Sequence, residues 1–147
     1  METKLLNGIP LFDSLSEDES QAVSSRLQVR HWPRNSVLIN EGEQSNCLYI
    51  LLTGKVKIFL VDESGEEIIL NYLGEGDYFG EVSLFDDGHR SASVKTLADS
   101  YFALLEKDDL VDLMSSHPEL AMTFLKGTTR RLKDLSSNVR SLAAGWQ

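Results

Sequence analysis

Apolar and polar positions change their rhythm twice along the chain. From about Val37 to Leu105 the apolar residues come in short runs, "CLYILL", "KVKIFLV", "EIILNYL" and "SASVKTL". Runs this rich in β-branched and apolar residues predict strands. The links "TGK", "ESGE" and "GEGD" supply the glycines that tight turns need. In "KVKIF", Val56 and Ile58 alternate with Lys55 and Lys57, the two-residue period of a half-buried strand. Short strands at such close spacing predict an antiparallel barrel or jelly-roll.

Helical signals flank this region. "SLSEDESQAVSSRL" predicts a short helix, with Ser16 as N-cap, Glu19 three residues on as its capping-box partner, and acidic residues in the first turn. Capping and packing are all that this helix is expected to do. Helix returns near "EKDDLVDLMSSHP" and again from Pro118 to about Leu142, where Pro118 suits the first turn. Along this last segment Leu125, Thr128, Leu132, Leu135, Val139 and Leu142 are spaced by three and four alternately. That stripe is the seam of a two-helix coiled coil and predicts a homodimer through the 118–142 helix, the alternative being a helix packed on its own barrel. The expected fold is mainly β with flanking helices. An antiparallel β-roll or jelly-roll with its N-terminal helix fills 1–117, and a long C-terminal dimerisation helix fills 118–147.

Composition narrows the function classes. A chain of 147 residues accommodates one domain with a sizeable core, or one domain plus an appended helix. No apolar run approaches the roughly 18 residues that cross a bilayer. "METKLLNGIPLF" lacks a signal-peptide pattern, so a cytoplasmic protein without a membrane partner is expected. The formal net charge of −9 argues against nucleic acid as a direct partner, because phosphate binding needs clustered Lys and Arg. Lys126, Arg130, Arg131, Lys133 and Arg140 read as solvated flanks of the last helix. A single cysteine, Cys47, excludes an internal disulfide framework and any Cys-rich metal or iron–sulfur site. Within "NCLYILL" it reads as a buried, inert thiol. A metal-dependent cupin would need clustered ligands, yet His31, His89 and His117 stand apart with no His-x-His pair. No Gly-x-Ser-x-Gly elbow occurs either, so neither a metal nor a catalytic residue is expected.

One stretch carries candidate chemistry: "YFGEVSLFDDGHRSASV", residues 78–94. It reads as a turn running into one short helical turn, whose unpaired N–H groups suit an anion. Gly80 lets the backbone approach a ligand, Arg90 offers a planar fork for two phosphate oxygens, Ser91 adds a hydroxyl, and Ala92 is small. Glu81 would repel a phosphate, a conflict that resolves if it accepts from a ribose 2′-hydroxyl. The other reading is a solvated loop in which Arg90 forms exposed ion pairs with Asp86 and Asp87.

The spacing "FGE-V-SL-F-DDGH-RSA" resembles the phosphate-binding cassette of cyclic-nucleotide-binding domains: Phe-Gly-Glu, an apolar residue (Val82), a small residue (Ser83), Leu, a gap, then Arg-Ser/Thr-Ala. "IPLFDSLSEDE", "EGEQSNCLYILLTGKVKI" and "TRRLKDLSSNVRSLA" are similar to the family's N-terminal segment, early strands and long helix, so the resemblance covers nearly the whole chain. It is nearest to the bacterial catabolite activator (cyclic AMP receptor) and FNR group of transcription regulators. The resemblance implies a β-roll that holds cyclic AMP, with cyclic GMP possible, beneath a dimer helix. Carried over by position, Gly80 and Glu81 hold the ribose, Arg90 and Ser91 the cyclic phosphate, and Ala92 lines the pocket. Where cyclic AMP-responsive relatives place Thr-Ser against adenine, this chain has Leu135 and Ser136, of which Ser136 keeps one contact. Such regulators continue into a helix-turn-helix domain. DNA binding is therefore expected only through an output domain that this sequence does not contain; the alternative is a stand-alone or degenerate cyclic-nucleotide-binding-like dimerisation module that acts on a protein partner.

Overall fold

The computed structural model describes residues 9, 12, 15–80, 90–127, 129, 130 and 133. Helix α1 (Glu17–Ser24) leads into β1 (Gln28–Trp32), β2 (Val37–Ile39), β3 (Cys47–Thr53), β4 (Val56–Val61), β5 (Glu67–Leu73), β6 (Tyr78–Phe79), β7 (Ser93–Thr96) and β8 (Ser100–Glu106). Helix α2 (Lys107–Ser116) follows, then helix α3, described over 118–127. Two four-stranded sheets form, ordered β1-β8-β3-β6 and β2-β7-β4-β5, and every pairing among the described residues is antiparallel. This is the expected β-roll with flanking helices.

Side-chain alternation divides the core in two. On β3, Leu48 and Ile50 point to the helical side, where they meet Ala103 and Leu105 of β8, Val23 of α1, Leu110 and Leu113 of α2, and Leu120 and Phe124 of α3. The opposite face of the same sheet carries Leu51, Phe79 and Phe102, which pack against Ile39, Val56, Leu73 and Val94 of the other sheet. A sheet buried on both faces must be apolar at successive positions, which is why "CLYILL" reads as an uninterrupted run. Rings pack inside the sandwich: Phe102 meets Trp32, Tyr49 and Phe79 edge-on at 5.5, 6.0 and 5.8 Å.

Helix α1 forms where its cap signals place it. Ser16 Oγ accepts from the Glu19 N–H at 3.2 Å, and the Ser16 N–H donates to Glu19 Oε1 at 3.0 Å. Helix α3 begins at Pro118, directly after His117 ends α2. Leu120 and Phe124 of α3 are buried whereas Leu125 is exposed, so the residue that starts the heptad stripe does not pack on its own roll. The stripe from Thr128 onward, except for neighbouring Thr129, Arg130 and Lys133, lies outside the described residues.

Three expectations need correction. The β region starts earlier than Val37: β1 pairs with β8 from Gln28↔Leu104 to Trp32↔Ser100, although "QVRHW" has too little apolar character to announce itself. The run "EIILNYL" is strand β5 as expected, an edge strand exposed at every residue but Leu73. "SASVKTL" is strand only over Ser93–Thr96, so Ser91 and Ala92 occupy the bend before it. Cys47 is half-buried rather than buried. Burial still raises its thiol pKa above the ordinary value, which keeps it an unreactive thiol near neutral pH.

Candidate functional site

Residues 78–80 and 90–92 border the loop on which the sequence reading centred. Phe79 ends β6, and its ring stacks on Tyr49 of β3 at 5.1 Å, with an interplanar angle of 8°. Gly80 follows with φ +97°, a left-handed conformation that disfavours any Cβ. Space forbids one as well. A Cβ there would strike Nη1 of Arg90 and lie 3.0 Å from the Cys47 carbonyl oxygen. Gly80 is therefore required both by its backbone angle and by the approach of the guanidinium.

Arg90 is only 4% exposed. Its Nη1 donates to the Gly80 carbonyl at 3.0 Å, and its Nη2 donates to the Cys47 carbonyl at 2.6 Å and to Ser45 Oγ. The guanidinium carbon lies 5.7 Å from the centroid of the Tyr49 ring. Burying a permanent cation costs several kcal/mol unless hydrogen bonds and opposing charge compensate it. Among the described residues, neutral carbonyl and hydroxyl oxygens supply such hydrogen bonds. Burial also raises the Tyr49 phenol above its ordinary value, with Cys47 adding to the shift and Arg90 opposing it. Tyr49 and Cys47 therefore stay neutral near pH 7, and within this group Arg90 carries the formal charge. The chain as a whole is acidic at −9, but charges more than about 8 Å away are screened at physiological salt. Such a cation can attract an anion locally despite the net charge.

The main chain of Arg90 is also fixed. Its N–H donates to the Glu43 carbonyl at 2.8 Å, and its own carbonyl accepts from the Gly42 N–H at 2.9 Å. Three residues on, Ser93 Oγ accepts from the Glu41 N–H at 2.9 Å. The β2–β3 loop thus sets where the stretch after residue 89 begins.

Of the residues singled out from sequence, the structure brings Gly80 and Arg90 into contact, and it places Ser91 exposed and Ala92 half-buried beside them. Glu81, Val82, Ser83 and Ser136 lie outside the described residues, as do Asp86, Asp87, Leu135 and the short helical turn expected after Gly80. The burial of Arg90 is at odds with an exposed ion pair. Sequence reasoning missed Ser45, Tyr49 and the Cys47 carbonyl. These contacts span more than forty positions, and "EGEQSNCLY" carries no local sign of them.

The sequence profile of the cyclic nucleotide-binding domain matches residues 29–117. The chain is 36% identical over 120 residues to the cAMP-activated global transcriptional regulator CRP of Pasteurella multocida, covering 81% of this chain and 57% of that protein. Among solved structures, Thermus thermophilus Catabolite Activator Protein is similar with a TM-score of 0.81 and 32% identity, over 91% of this chain and 63% of that one. A cyclic nucleotide-binding domain from Methylobacillus flagellatus gives a TM-score of 0.80 and 28% identity, over 93% and 79% of the two chains. The chain spans less than two thirds of the length of the curated relatives it matches.

Proposed function

Because the chain belongs to the cyclic nucleotide-binding domain family, in the catabolite activator (cyclic AMP receptor)/FNR group, we propose that it is a cyclic-nucleotide-sensing regulatory domain rather than an enzyme. The effector is cyclic AMP or a related cyclic nucleotide such as cyclic GMP. The observation that carries this reading is the buried Arg90 guanidinium, held against the carbonyl of a glycine that admits no side chain. A cyclic phosphate is a monoanion with two exocyclic oxygens, and a planar fork can grip both together.

In this reading Arg90 and Ser91 hold the cyclic phosphate, Gly80 and Glu81 hold the ribose, and Val82, Ser83 and Ala92 complete the wall. Ser136 reaches the base. Glu81 gives selectivity for ribose: an analogue without the 2′-hydroxyl leaves an acceptor unsatisfied, which a buried site penalises strongly. The helix after Pro118 pairs two copies of the chain and transmits binding to a DNA-binding output domain. Coupling of that kind is typically about 1–3 kcal/mol.

Isothermal titration with cyclic AMP and with cyclic GMP, on wild type and on Arg90→Ala, tests the reading. Removing a desolvated charge from a phosphate is expected to cost about 2–5 kcal/mol of binding free energy. Saturable heat for wild type and its loss in Arg90→Ala are expected. Absence of heat from wild type with both nucleotides, or equal affinity in the two proteins, refutes it.

A further inference from the structure

We infer that Ser45 is a positioning residue for anion binding, acting through Arg90; this rests on the cyclic-nucleotide reading above and deepens it. Nη2 of Arg90 has two hydrogens, and both have acceptors: the Cys47 carbonyl at 2.6 Å and Ser45 Oγ. Cys47 and Gly80 contribute main-chain oxygens, fixed by β3 and by the end of β6. Among the described acceptors, Ser45 is the one that a substitution can delete without moving the backbone.

Position in the fold supports the role. Ser45 sits in the β2–β3 loop that also holds the Arg90 main chain through Gly42 and Glu43. That loop is braced internally, since Asn40 Nδ2 donates to Glu43 Oε1 at 2.7 Å and the Glu43 N–H donates to the Asn40 carbonyl at 3.1 Å. One short segment therefore fixes both the root and the tip of the arginine. The Tyr49 ring limits how the guanidinium tilts, and Ser45 with Cys47 limits how it turns in its own plane. A guanidinium oriented before the anion arrives spends no binding free energy on becoming ordered. Without the hydroxyl, Nη2 keeps only the Cys47 carbonyl among its described acceptors, and the fork samples orientations that do not match two phosphate oxygens.

Titrating cyclic AMP and cyclic GMP into wild type, Ser45→Ala, Ser45→Thr, Arg90→Lys and Ser45→Ala/Arg90→Lys tests this. Ser45→Ala should bind about tenfold more weakly, the scale of one withdrawn hydrogen bond to a charged group. Ser45→Thr, which keeps the hydroxyl, should restore most of the affinity. In the Arg90→Lys background, where no planar fork exists to orient, Ser45→Ala should cost less than about threefold; that non-additivity separates positioning from a general loss of fold. Melting of the unliganded variants reports folding independently. If wild type binds but Ser45→Ala binds equally or more tightly, or loses the same factor in the lysine background, the role of Ser45 is overturned and the function stands. If wild type binds neither nucleotide, the functional reading fails and this inference with it.

Discussion

Two glycines with the same backbone strain and opposite surroundings allow the Arg90 contact to be weighed. Gly80 has φ +97° and Gly65, in the β4–β5 turn, has φ +88°. An alanine at either position is forced into the left-handed region, at a cost of about 1–3 kcal/mol. At Gly65 that is the whole effect, because a Cβ there meets nothing within 4 Å. At Gly80 the new methyl would collide with Arg90 Nη1 while the Cys47 carbonyl, 3.0 Å away in β3, cannot retreat. The guanidinium must swing, giving up its 3.0 Å bond to the Gly80 carbonyl or its 2.6 Å bond to the Cys47 carbonyl. A hydrogen bond to a charged group contributes about 1.5–3 kcal/mol. Gly80→Ala is therefore expected to destabilise by about 2–6 kcal/mol, against about 1–3 for Gly65→Ala. Both losses are smaller than the roughly 10 kcal/mol stability of a typical folded domain, so folded protein should be recoverable. Urea unfolding gives the stabilities by linear extrapolation. Calorimetric titration with cyclic AMP gives the second readout: Gly65→Ala should stay within about twofold of wild type, and Gly80→Ala should weaken binding by about tenfold or more, since each 1.4 kcal/mol is a factor of ten. Equal losses of stability in the two variants, with both binding like wild type, would refute the claim that the arginine requires this glycine.

Two further outcomes follow from the core and from α1. Phe102 is fully buried among Trp32, Tyr49 and Phe79, so Phe102→Ala should lower stability by about 3–5 kcal/mol in urea; a loss under about 1 kcal/mol would mean that the two sheets do not pack around it. The Glu19 carboxyl is held below its ordinary value, first by the hydrogen bond from the Ser16 main chain and then by the Ser16 side chain. A depressed folded-state pKa contributes stability that is present above the unfolded carboxylate range and disappears as pH falls through the folded value. Melting temperatures followed from about pH 7 to about pH 3 should fall less steeply for Glu19→Gln than for wild type, and parallel curves would sink this account of the cap.

What could be read from sequence was written in short-range relations. Ser16 and Glu19 are three residues apart, so their capping box needs only a helix to form. The apolar run of β3 states that both of its faces are covered, because a strand side chain's direction follows from its position. The spacing from Gly80 to Ala92 that carries the family resemblance was visible for the same reason, within one stretch of chain. By contrast, the alternation expected in β4 is broken by the register shift between Ile58 and Phe59, which leaves Val56 and Phe59 buried.

Tertiary structure decided the rest. Strand β1 exists because β8 offers it a hydrogen-bonding edge, and nothing in "QVRHW" records that seventy-odd residues later such an edge will arrive. The same apolar pattern yields a buried β3 and an exposed β5, since β3 lies inside its sheet and β5 at the margin of the other. Sequence supplied Arg90 as a candidate, but two readings remained, solvated ion pair or cradle. Its burial and the acceptors described for it come from the β2–β3 loop, from β3 and from the residue after β6, brought together only when the sheets close. Local relations are encoded by spacing. Contacts across the fold depend on which surfaces compete to be covered, and that competition is settled only by the chain as a whole.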